Sequence, residues 1–150
     1  SYKELSTATT PGGLLHRMPM SRLPFSWSAV WGIPAALIGM ANGMADLVQK
    51  TLIGKKALFT QEVQVERVAN QIKMASVYTE IQVAELLMRN RIAELEKWAA
   101  KGEIPKGPEA FASNRDAAYV ARLMGKVAQD LTLMAGATAR SKFLRALPTG

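Results

Sequence analysis

Residues 61–100, QEVQVERVANQIKMASVYTEIQVAELLMRNRIAELEKWAA, decide the fold. Met74, Val77, Ile81, Ala84, Met88, Ile92, Leu95 and Ala99 recur at spacings of three and four, which places them on one face of an α-helix. Val68, Ile72 and Ala75 widen that stripe, while Glu66, Lys73, Glu80, Arg89 and Glu96 occupy the opposite face. Glu85 and Arg89 are spaced for an i to i+4 ion pair. A helix of roughly 40 residues, at about 1.5 Å per residue, is near 60 Å long. Helices of that length draw their stability from lateral packing, so the segment requires neighbours.

Those neighbours are found on either side. Upstream, LPFSWSAVWGIPAALIGMANGMA (residues 23–45) has no formally charged residue and is long enough to span a bilayer at about 20 residues per span. Ser26, Ser28, Pro34 and Asn42 interrupt its apolarity, and the helical pattern runs on through Asp46, Gln49 and Lys50 without a break. A helix over 25–53, buried on most of its circumference within a bundle, is therefore predicted. Pro24 suits a first turn, and Pro34 either kinks the helix or marks its true start. Gly54 ends it, and GKKALFT connects to the long helix over 61–101.

Downstream, KGEIPKGP (101–108) breaks the pattern with two glycines and two prolines. Ser113 or Asn114 offers an N-cap and Asp116 a first-turn acid for a third helix over 113–136. Its stripe is Val120, Met124, Val127, Leu131 and Met134, with Ala117, Ala121 and Ala128 beside it. Gly136 ends or bends this helix, and residues 137–150 read as a connecting tail. Residues 1–22 form an extended arm ahead of a bundle domain over 23–150. No period-two pattern of useful length appears, so the fold class is all-α: an antiparallel bundle of three long helices.

Composition narrows the chemistry. The 150 residues include no cysteine and one histidine, His16, which removes thiolate nucleophiles, cysteine-ligated metals and multi-histidine sites. His16 has no orienting partner in sequence and is read as a surface or subunit contact. Lys and Arg number 19 against 12 Asp and Glu, a net charge of +7. The cations are dispersed among acids, with Arg140, Lys142 and Arg145 the densest stretch, so a nucleic-acid footprint is not expected. No metal site, phosphate-binding loop, di-iron E-x-x-H pair or nucleophile elbow is present, and no catalytic residue is assigned. The arm lacks the order of a secretory signal, and a cytoplasmic protein is expected. One local feature invites a ligand: Lys55 and Lys56 precede Phe59, and Gln61 and Gln64 open the long helix, where backbone donors and lysines meet a phosphate well. A solvated turn with Phe59 in the core is the alternative reading of those residues.

Three stretches together resemble a known family. LLHRMPMSRLPFSWSAVWGIPAALIGMANGMADLVQKTL (14–52), FTQEVQVERVANQIKMASVYTEIQVAELLMRNRIAELE (59–96) and NRDAAYVARLMGKVAQDLTLMAGATA (114–139) are similar to the C-terminal helical domain of the acyl-CoA dehydrogenase fold. The nearest branch is that of the reduced-flavin-dependent monooxygenases, which hydroxylate aromatic, steroid or sulfur substrates or oxidise amino sugars. The resemblance implies three helices of an incomplete four-helix bundle. It also implies a flavin, FAD or FMN, shared with other domains or a neighbouring subunit, a tetrameric parent and a partner flavin reductase. By the same resemblance Lys56, Phe59 and Gln64 stand nearest the flavin-facing positions. The family usually places Arg where Lys56 stands; Lys keeps the charge without the two-pronged phosphate contact. The family's final helix, with an Arg-Asp pair and a later His, has no counterpart before Gly150, so the chain is expected to be a fragment that is inactive alone. Two other classes compete with this reading: a non-enzymatic helical oligomerisation module, and a small membrane protein anchored by residues 23–45.

Overall fold

The structure is a computed structural model that describes residues 23–54 and 63–146, together with Pro11 and Leu15. For Ser28, Gln64, Ala110 and residues 137–146 it describes the backbone alone. The elements among the described residues are α1 (Phe25–Ala29), α2 (Gly32–Ile53), a 3-10 turn (Gln64–Glu66), α3 (Val68–Lys101) and α4 (Pro108–Ala146). The fold is all-α with three long packed helices, as the spacing of apolar residues requires.

Proline and glycine set the ends. Trp27 N donates to Pro24 O at 3.0 Å as α1 opens, and Ala35 N to Trp31 O at 3.0 Å as α2 opens. Pro34 therefore marks the start of α2 and does not kink it: it lies in the first turn, where backbone N–H groups have no intrahelical partner to lose. α3 ends in a complete Schellman motif. Gly102 N donates to Ala99 O (3.1 Å) and Glu103 N to Trp98 O (3.2 Å), with Gly102 at φ 70°.

Two boundaries differ from expectation. α3 begins at Val68, after the 3-10 turn, and not at residue 61. α4 begins at Pro108, five residues before the expected Ser113, because a proline just after a positive-φ glycine (Gly107, φ 60°) is suited to open a helix as well as to end one. Ser113 is consequently no cap and Asp116 no first-turn acid. At the other end, Gly136 leaves helical geometry (φ 72°, ψ 177°), and the chain resumes a helix to Ala146 where a connecting tail was expected.

The helices contribute to two compact units. The first is Ser1–Leu37 with Ala84–Arg122, and the second is Ile38–Val83 with Leu123–Gly150. The first unit buries Leu23, Trp31, Ala84, Leu95, Ala99, Ala117 and Val120. The second buries Ile38, Ala41, Ala45, Val48 and Leu52 of α2, Met74, Val77 and Ile81 of α3, and Met124, Val127, Leu131 and Ala135 of α4. Within it the Tyr78 hydroxyl donates to Gln49 Oε1 (3.0 Å), and Lys126 Nζ to Glu80 Oε1 (2.6 Å) and Asp130 (3.1 Å).

Burial corrects two readings. Val68, Ile72 and Ala75 do not widen the core stripe but lie exposed. The helical stretch Phe25–Ile53 is not buried on most of its circumference: of its most apolar 18 residues only 29% are buried. Trp31, Ile38, Ala41, Ala45, Val48 and Leu52 form the buried stripe, and Ile33, Met40 and Leu47 form a second one, exposed by 71%, 63% and 61%. Its apolarity exceeds what two neighbouring helices can cover. By length and composition Phe25–Ile53 also suffices to cross a membrane.

Candidate functional site

Of the flavin-facing residues expected from sequence, Lys56 and Phe59 lie outside the described residues, as do Lys55, Gln61 and His16. Gln64 opens the 3-10 turn ahead of α3, its backbone alone being described. The placement of these three relative to one another lies outside the described residues; the densest polar cluster among the described residues is in the first unit.

That chemistry was hidden inside the apolar stripes. Arg91 follows Met88 by three residues and precedes Leu95 by four, so α3 places a guanidinium on its core face. Asp116 bears the same relation to Ser113 and Val120 of α4. The two meet: Arg91 Nε donates to Asp116 Oδ2, Arg91 Nη1 to Glu94 Oε2, and Arg115 Nε to Asp116 Oδ1 at 2.7 Å. The Asp116 side chain is only 8% exposed and Arg91's 21%. Burial by itself would raise the Asp116 carboxyl; the hydrogen bonds from Arg115 and Arg91 outweigh it and hold the group below the usual aspartate range. The hydrogen bond to Asp116 correspondingly raises the Arg91 guanidinium, against a smaller opposing effect of burial. One turn away, buried Trp31 donates its Nε1–H to Ser113 Oγ at 2.9 Å, tying the start of α2 to α4. The sequence signal for this cluster is a charge standing at a stripe position, which composition and motif searches pass over.

Beside the cluster, Arg91, Glu94, Leu95, Trp98, Pro105, Glu109 and Ser113 line a cleft of about 240 Å³. The Schellman reversal at Gly102 makes the cleft by carrying Pro105 and Glu109 back across the last turns of α3. Sites for drug-sized ligands begin at about 300 Å³, so the cleft is too small for a flavin dinucleotide, and its carboxylates would oppose a pyrophosphate. Among the described residues no three metal-ligating side chains converge.

Three long packed helices with these breaks form an all-α domain. The family model of the acyl-CoA dehydrogenase C-terminal domain matches residues 31–143, and the chain belongs to this family. The family is one of acyl-CoA dehydrogenase-like flavoenzymes, typically FAD-dependent. No curated protein and no solved structure matches the chain.

Proposed function

We propose that the chain is the C-terminal helical domain of a flavin-dependent monooxygenase, supplying one wall of the flavin pocket and part of a subunit interface. The family match over residues 31–143 supports the flavoenzyme part of this reading, and the resemblance of the three helical stretches supports the monooxygenase branch. The flavin, when bound, supplies the redox chemistry. The chain's own part is to bind and orient. Lys56 meets a cofactor phosphate as a point charge, and Phe59 and Gln64 stand at the flavin-facing positions beside it. Electrons come from a separate flavin reductase in the cytoplasm, and the parent enzyme is a tetramer. The second apolar stripe of α2, Ile33, Met40 and Leu47, supports an interface role. It equally favours a non-enzymatic oligomerisation module, so the deciding measurement is flavin binding.

Titration of FAD and FMN, oxidised and reduced, into the chain and into a version extended by its flanking domains separates the two. Saturable binding weakened by Lys56→Ala and Phe59→Ala is expected. Absence of flavin binding to the extended protein would overturn the flavoenzyme reading and leave the oligomerisation module.

A further inference from the structure

The cleft beside the Arg91–Asp116 cluster has chemistry of its own, independent of the flavin assignment. We propose that it binds a small organic ammonium ion, held between the Glu109 carboxylate and the Trp98 indole with its alkyl body against Leu95 and Pro105.

Size sets the first limit. A cleft of about 240 Å³ holds about eight waters at roughly 30 Å³ each, or an organic molecule of similar heavy-atom count. Charge sets the second. Arg91 would attract an anion, but its Nε and Nη1 are engaged by Asp116 and Glu94, so its charge is answered inside the cluster. Glu94 is likewise occupied, by Arg91 and by the Asn90 side-chain amide at 3.3 Å. Glu109 is different. It lines the cleft, and among the described residues no ion pair or hydrogen bond neutralises it. The lining therefore carries one carboxylate that only the N-terminus of α4 answers, and it favours a cation over a carboxylate or phosphate.

One further group agrees with that sign. The Trp98 ring already attracts an ammonium, since Lys101 Nζ stands 5.5 Å from its centroid; an indole face is the strongest cation–π partner among side chains. Lys101 itself is exposed, so a better-placed ligand ammonium competes with it at small cost. Buried Leu95 and Pro105 form the apolar floor, giving the amphiphilic pattern of a short alkylamine and not that of an inorganic cation.

The test uses n-butylammonium, with butyrate and 1-butanol as matched probes at constant ionic strength. The readout is the indole N–H signal of Trp98, assigned by its loss in Trp98→Phe. A saturable shift with butylammonium alone is expected. Glu109→Gln, at an exposed position where the fold tolerates it, weakens that binding roughly tenfold through loss of a charge-assisted hydrogen bond. Glu96→Gln, an exposed carboxylate outside the cleft, leaves it unchanged. Equal shifts with butyrate or butanol, no saturation with butylammonium, or equal weakening by Glu96→Gln and Glu109→Gln would each overturn the proposal.

Discussion

Asp116 contributes to stability through its charge, and its environment gives that contribution a pH window. Its carboxyl is held below the ordinary aspartate value in the folded chain. The stabilisation is therefore present above the unfolded value, about pH 4, and disappears as pH falls through the folded one. Asp116→Ala leaves Arg91 facing the core with only Glu94 to answer it. Removing one partner of a buried pair costs about 3–5 kcal/mol, but Arg91 is 21% exposed and water relieves part of that, so about 1–3 kcal/mol is expected in chemical denaturation at pH 7. Asp116→Asn should flatten the loss of stability below about pH 4; an acid-unfolding profile equal to the unsubstituted chain's would contradict the role given to this carboxylate. Trp31→Phe removes the donor to Ser113 Oγ at a cost of about 1 kcal/mol, and in the Ser113→Ala background the same change should cost less, as a double-mutant cycle would report. None of these pairings was legible in sequence. In sequence Asp116 reads as a first-turn acid and Arg91 does not stand out, because spacing reveals which residues share a helix face and not which helix that face meets.

Elements were legible to the extent that their chemistry is local. The stripe of α3 from Met74 to Ala99 follows from spacing alone, and Met74, Val77, Ile81, Ala84, Leu95 and Ala99 are its buried members. The end of α3 was equally readable, since Gly102 supplies the left-handed residue that the Schellman motif needs. The start of α4 is not: Gly107 and Pro108 read in sequence as breakers, although proline is as much at home in the first turn of a helix. At Gly136 the difficulty was of another kind, as a glycine in a small-residue run signals a bend without fixing whether the helix resumes. Its φ of 72° with ψ of 177° belongs to a region almost restricted to glycine. A Cβ there meets no neighbour within 4 Å, so Gly136→Ala is a pure backbone test. It should destabilise by about 1–3 kcal/mol in urea unfolding, whereas an unchanged midpoint would mean that α4 runs through the position without a kink.

For the molecule as a whole, what matters is the face that sequence assigned to the interior and burial does not. α2 carries two apolar stripes, and only the one beginning at Trp31 is covered. Gly39 and Gly43 lie on exposed surface with open space where a Cβ would stand. A sequence reports how much apolar surface a helix has; it leaves open whether the same chain or another one covers it. The proposed interface role makes a separable prediction. Met40→Glu and Leu47→Glu alter exposed positions, so each should change unfolding free energy by no more than about 0.5 kcal/mol when the chain is dilute and monomeric. In sedimentation velocity at rising concentration the unsubstituted chain should self-associate and the two variants should not, since a carboxylate buried unpaired in an apolar contact costs several kcal/mol. Association that survives both substitutions would move the interface away from this stripe. Gly39→Ala refines the point from the opposite direction. It should stabilise the dilute chain by up to about 1 kcal/mol through helix propensity, yet weaken association if the partner backbone approaches closely at that glycine. A gain in stability coupled to a loss of association would therefore locate the close approach on α2 itself.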